Sequence, residues 1–139
     1  MHSAQIRHAS HGLTLIELLV VLACIALLTH LALPTYTQWQ MRSQRSQARL
    51  ALMQAAQWLE RNASANGRYP LASDVPANVW QIKGLSYTIQ ATLNEQSFTL
   101  QAVPTGTQSN DVCGQLTLNH LGVQGVAQAQ WSAPECWQR

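Results

Sequence analysis

Polar and apolar residues divide the chain into unequal stretches. Residues 1–12 are polar, with Arg7 and three histidines. Residues 13–33 are almost continuously apolar. As a helix those 21 residues span about 31 Å, close to the hydrocarbon thickness of a bilayer. Glu17 and His30 interrupt the run. From 35 to 63 the apolar residues thin out to three- and four-residue steps. Ala48, Leu52, Ala55, Ala56 and Leu59 make one stripe, and Tyr36 with Trp39 a smaller patch. No Gly or Pro falls between 35 and 63, so the spacing predicts that the helix continues. A rod from 13 to 63 is about 75 Å long, far beyond the average globular helix. Pro34 lacks a backbone donor and clashes with the preceding turn, which predicts a kink or local melting. At its far end Gly67 suits a left-handed cap, and Pro70 forbids continuation.

The pattern then changes period. Residues 71–85 show none, and Asp74, Pro76, Asn78 and Gly84 mark an irregular, exposed connection suited to contacting partners. Residues 86–91 and 97–103 alternate and are rich in Tyr, Phe, Ile and Thr, with Asn94-Glu95-Gln96 as the hairpin turn between them. Residues 115–119 form a third strand, followed by a turn around Gly122 and a weak fourth near 123–126. Tyr87, Ile89, Phe98, Leu100, Leu116 and Leu118 supply one apolar face, which the helical stripe at 48–59 can cover. The expected class is α+β: a long N-terminal helix with its C-terminal half packed on a small antiparallel sheet.

Glu17 is the sharpest chemical signal. A carboxylate in a membrane-length apolar segment costs a few kcal/mol or more, so it needs a partner. No basic residue lies within one helical turn of it. The partner is expected outside the segment, with another chain as one candidate source.

Composition narrows the function. Charged residues make up 10% and hydrophobic residues 47% of the 139, and the formal charge is +2. Loss of residues 1–12 removes Arg7 and leaves +1. A general nucleic-acid binder carries a stronger basic excess. Cys24 lies in the apolar run and reads as a small hydrophobe. Cys113 and Cys136 lie in the polar part beyond it. Such a pair suggests an exported domain with one disulfide, against the alternative of two buried thiols. Cysteine and histidine spacings fit no zinc site. No nucleophile elbow or phosphate-binding glycine loop occurs, and His120 is the only histidine beyond the apolar run. No enzyme, cofactor or metal is expected.

Gly12-Leu13-Thr14-Leu15-Ile16-Glu17-Leu18-Leu19-Val20-Val21 resembles the signature of type IV prepilins. The resemblance implies a leader of residues 1–12, cleavage between Gly12 and Leu13 by a prepilin peptidase, and N-methylation of Leu13. Glu17 becomes the fifth mature residue, as in the family, whereas Leu13 replaces the family's usual Phe. Pro34 falls where related pilins often carry Pro. The segment Asn66-Gly67-Arg68-Tyr69-Pro70 is similar to one at the same place in pilins and pseudopilins, where Tyr69 packs back on the helix. Cys113-Gly-Gln-Leu-Thr-Leu and Glu135-Cys136-Trp137 resemble the C-terminal layout of PilE-like minor pilins, which implies a Cys113–Cys136 disulfide clipping the last segment to the sheet, with Trp131 and Trp137 packed nearby.

On that basis the chain divides into a leader (1–12), a transmembrane and filament-core helix (13–34), the C-terminal half of the helix (35–66) and a globular head (67–139). The implied function is that of a minor type IV pilus subunit, supporting biogenesis, twitching motility, adhesion or DNA uptake. The implied partners are other pilins, major and minor, the prepilin peptidase/N-methyltransferase, the inner-membrane assembly platform, and lipid before assembly. The implied location is the inner membrane, single-pass with the head in the periplasm, and then the extracellular pilus. Glu17 would neutralise the methylated N-terminal amine of a neighbour and set register.

Competing readings of the apolar run are a cleaved secretory signal and a lipoprotein signal acylated at Cys24. For the whole chain, the competing readings are a pseudopilin of type II secretion and a DNA-binding competence pilin. Arg42, Arg45 and Arg49 share one helical face and are the candidate contacts for DNA or another partner, with Arg68 and Lys83 as further cations. The plain reading of that face is a solvated or inter-subunit surface. The leader histidines and His30 read as incidental polarity and an interfacial residue, over a metal tract and a proton-sensitive contact.

Overall fold

The computed structural model describes residues 14–81 and 84–138, without the side chains of 30–35. The chain divides between residues 37 and 38 into two compact units. In the first, helix α1 (Leu15–Asn66) begins. Thr14 caps it: the Glu17 N–H donates to Thr14 Oγ1 at 3.3 Å, and the Leu18 N–H to the Thr14 carbonyl at 3.2 Å. Thr-x-x-Glu is the spacing of a capping box, and Glu17 lies in the first turn, where the helix dipole favours a carboxylate. Large apolar side chains from Leu15 to Leu28 are exposed, as is the free Cys24. Among the described residues no helix is long and apolar enough to cross a membrane; residues 30–33, which complete the apolar run, have no described side chains. The helix runs unbroken through position 34, whose side chain is likewise outside the description. Gly12, Leu13 and Lys83 are also outside it.

The second unit holds the rest of α1 and the sheet. Ala48, Ala51, Leu52, Ala55 and Leu59 of α1 are buried, which is the stripe read from the sequence with Ala51 added. The helix ends at Asn66, where Gly67 takes φ 75°. Helix α2 (Ala77–Trp80) follows, and Val75 is buried just before it. Strands β1 (Tyr87–Asn94), β2 (Ser97–Pro104), β3 (Gln115–Asn119) and β4 (Gln124–Ala127) form an antiparallel sheet in chain order. In register, Ile89 faces Ala102, Leu100 faces Leu118, and Leu116 faces Val126. One side of this meander thus carries the apolar residues that meet α1 in a single core. Each fully buried leucine there (Leu52, Leu59, Leu100, Leu116) contributes roughly 1.5–3 kcal/mol.

β1 extends to Asn94, which pairs with Ser97, so the turn is the two residues Glu95-Gln96 rather than three. Helix α3 (Ala133–Gln138) closes the chain. Its start is a capping box: the Ser132 N–H and Oγ both donate to Glu135 Oε2, at 3.0 and 2.7 Å.

The irregular stretch between helix and sheet is fixed at each end. At its start the Tyr69 N–H donates to the Glu95 carbonyl at 3.0 Å. At its end the Gln44 side-chain amide acts as a peptide group would. Its Oε1 accepts from the Ser86 N–H at 2.9 Å, and its Nε2 donates to the Gly84 carbonyl at 3.3 Å. The Thr105 N–H donates to the Ser86 carbonyl at 3.0 Å, so strand pairing takes over directly.

Candidate functional site

Arg42, Arg45 and Arg49 of α1 do not form one exposed face. Arg42 is exposed, Arg49 is half-buried and Arg45 is 3% exposed. Arg45 lies three residues before Ala48 and seven before Leu52, so it continues the apolar stripe into the head. Its Nε and Nη2 donate to Asp111 Oδ2 and Oδ1 at 3.0 and 2.7 Å, a fork-to-fork pair. Asp111 also accepts from Gln108 Nε2 at 2.8 Å, the Tyr87 hydroxyl at 3.3 Å and the Cys113 N–H at 3.1 Å. Arg45 Nη1 is buried without a hydrogen-bond acceptor. The guanidinium lies 6.0 Å from the Trp131 ring centroid, whose π-face compensates part of that loss. Burial raises the Tyr87 phenol to about 12; the Gln108 hydrogen bond opposes this and the Asp111 charge adds to it.

This network removes Arg45 from any contact with an external partner and makes it the bolt between α1 and the sheet. Arg49 donates to the Trp137 carbonyl. Burial, and then the nearby Arg45 charge, lower its pKa. The candidate basic surface on α1 is therefore reduced to Arg42 and the partly buried Arg49. Arg68 is exposed and reaches Glu95 at 3.4 Å, a surface pair of small energetic weight.

The C-terminal segment is tied to the same region. Cys113 and Cys136 form a disulfide with Cα atoms 5.6 Å apart, and both are fully buried. Trp137 is buried, and its Nε1 donates to the Gly125 carbonyl at 2.9 Å on the edge strand β4. The resemblance thus placed the two cysteines and the adjacent Trp137 correctly. Gly114 permits the crossing beside the disulfide. It takes φ 52°, and a Cβ there would lie 2.5 Å from the Gln128 carbonyl oxygen. Tyr69 packs edge-on against Phe98, with ring centroids 5.1 Å apart, and its hydroxyl donates to Glu60 at 2.8 Å. Burial first, then this hydrogen bond and the Glu60 charge, raise its pKa to about 12. His120 also packs against Phe98, with ring centroids 6.3 Å apart.

No group of three or more histidine, cysteine or acidic side chains among the described residues could hold a metal. A shallow groove of about 550 Å³ lies between α1 and the β3–β4 turn, walled by Ala56, Phe98, Leu118 and Leu121. Its polar rim of Glu60, Arg61 and His120 assembles no nucleophile and base.

Residues 34–117 match the family described as type IV minor pilin ComP, DNA uptake sequence receptor. Residues 7–33 match the prokaryotic N-terminal methylation motif. Among solved structures the chain is similar to a type IV pilin from Shewanella oneidensis, at 35% identity and a TM-score of 0.53, over 66% of this chain and 98% of that one. It is also similar to the non-core minor pilin PilV of Neisseria meningitidis, at 25% identity and a TM-score of 0.54, over 68% of this chain and 93% of that one. No curated protein matches it.

Proposed function

The chain belongs to the type IV minor pilin family, and we propose on that premise how it is processed, anchored and incorporated. Cleavage between Gly12 and Leu13 and methylation of Leu13 free a new N-terminus four residues before Glu17. The apolar part of α1 rests in the inner membrane with the head in the periplasm. The assembly platform then moves it into the filament, where the helices of other pilins replace lipid. Close packing and polar pairing drive that exchange, because lipid is as apolar as the helix surface. The Glu17 carboxylate meets the methylated amine of a neighbouring subunit and fixes the register.

The observation that carries this reading is the apolar surface of α1 from Leu15 to Leu28, exposed on the monomer with a carboxylate in its first turn. Such a surface needs a cover, and its acid needs a cation. The test is Glu17→Val in cells, with membrane fractions and sheared pili probed separately. The variant is expected to insert in the membrane and to be absent from pili; normal incorporation overturns the pairing.

A second reading, capture of DNA for uptake, is favoured by the family matched over residues 34–117. Its phosphate contacts would come from Arg42, Arg49, Arg61 and Arg68 rather than Arg45. Duplex binding by the full chain in detergent micelles, measured across a salt series, tests it. Arg42→Ala should lower the salt slope by about one phosphate. No binding at low salt removes this reading.

A further inference from the structure

The solvent side of the sheet has a composition unlike the rest of the surface. None of the residues in β1–β4 is charged, although charge is a common guard on exposed sheets. Apart from Val103, Gly125 and Ala127, the outward positions are amides and hydroxyls set in rows. Gln90, Gln101 and Thr117 stand side by side on three strands, and Thr92 faces Thr99 in the next row. The first row ends at Gly125, opposite Thr117, so no side chain rises above it there. Thr88 faces Val103 on the other flank. Internal hydrogen bonds occupy Asn94, Gln115 and Asn119 at the margins of this face. The side chains of Thr88, Gln90, Thr92, Thr99, Gln101 and Thr117 make no hydrogen bond or ion pair among the described residues.

These residues make a flat grid of groups that can both donate and accept. Same-facing residues repeat about 7 Å along each strand, and strands lie about 5 Å apart. The grid therefore suits an extended chain. Its chemistry sorts the occupants. A polyanion would find no Lys or Arg to neutralise it. A polycation would find no carboxylate. An apolar partner would strand the amides, at a desolvation cost. An uncharged, hydroxyl-rich chain meets each amide and hydroxyl of the central rows with a complementary donor or acceptor and buries no charge. We propose that the outer face of β1–β3 binds a neutral polysaccharide, with Gln90, Gln101, Thr99 and Thr117 as the central contacts. This site uses none of the residues invoked for assembly or for DNA.

The test uses the full chain in detergent micelles, passed over cellulose, chitin and cross-linked dextran, with heparin beads as the polyanion comparison. The chain should be retained on at least one neutral matrix equally at low and high salt, and be released by soluble oligosaccharide of the same type. Gln101→Glu and Gln90→Lys should each reduce retention on the order of tenfold, since each loses a hydrogen-bonding amide and forces a charge to be desolvated. Gln54→Glu, an exposed position on α1, should bind as the parent does. Circular dichroism and a non-reducing gel verify the fold of each variant. Absence of retention on all three neutral matrices overturns the proposal. So does retention that disappears at high salt, or undiminished binding by folded Gln101→Glu and Gln90→Lys. Pilus incorporation of Gln101→Glu, followed in parallel, distinguishes loss of this site from failure of assembly.

Discussion

Replacing Asp111 by Ala should be the most damaging single change in the head. The side chain removed accepts hydrogen bonds from Arg45 twice, from Gln108, from Tyr87 and from the Cys113 backbone. Arg45 stays behind, 3% exposed and without its counter-charge. Stranding one partner of a buried pair costs about 3–5 kcal/mol. For a domain of this size that lowers the melting temperature by more than about 10 °C. Denaturant unfolding of the full chain in micelles, followed by tryptophan emission, is a direct assay, because Trp131 sits over the Arg45 guanidinium. The second arm is Arg45→Met combined with Asp111→Ala. Removing the cation relieves the unpaired charge, so the double variant should be less destabilised than the sum of the two singles. It should not return to parental stability: Gln108 keeps the Met41 carbonyl as acceptor, but the Tyr87 hydroxyl and the Cys113 N–H lose theirs, at about 1–3 kcal/mol each for groups that stay buried. A loss below about 1 kcal/mol for Asp111→Ala, the range of exposed pairs, refutes the reasoning. Strict additivity of the two singles refutes the pairing itself.

Three further outcomes follow from the same region. Cys113→Ser with Cys136→Ser opens a closure of sequence separation 23 and should destabilise by about 3 kcal/mol in the chain-entropy model; equal denaturation midpoints with and without reductant would contradict this. Gly114→Ala should cost at least about 1–3 kcal/mol, because φ is 52° and the new methyl meets two backbone oxygens within 2.6 Å; Gly106→Ala, with a similar φ but open space, should cost less, and the reverse order in urea titrations would be inconsistent with the crossing described. Tyr87 and Tyr69 are raised to about 12 in the fold, against about 10 in an unfolded chain; their neutral forms are favoured by folding, so that stability is complete below about pH 10 and falls between about pH 10 and 12. The pair Tyr87→Phe and Tyr69→Phe should flatten that fall, as read from unfolding midpoints across the alkaline range.

The elements with strong local periodicity were legible in the sequence. The helix stripe at 48–59, the alternation in β1 and β2, the short β3 and the glycine stop at 67 all needed only neighbours in sequence. The weak fourth strand formed as well, although its Gln124-Gly125 start carries little strand preference. The disulfide was legible from a cysteine pair outside the apolar run and from the pilin-like ending. Arg45 was misplaced as part of a basic face because its partner, Asp111, lies 66 residues away. A signal was present all the same: Arg45 continues the stripe of Ala48 and Leu52, and a charge on an apolar stripe calls for a buried counter-charge. Helix α3 also went unread, yet Ser132-x-x-Glu135 and Thr14-x-x-Glu17 are both capping-box spacings. Gln44 left no such trace, since the backbone groups it satisfies have no side-chain identity.

That last residue has a consequence for how this head can diversify. Gln44 secures the chain as it enters β1, and the Glu95 carbonyl secures it as it leaves α1. Neither anchor draws on the identities of residues 70–81. Among the described residues 70–81, Val75 is the buried one, with Val79 and Trp80 partly covered. The segment thus behaves as an exchangeable insert between two fixed docking points. It can be lengthened, recoded or grafted, provided one aliphatic plug still fills the seat of Val75.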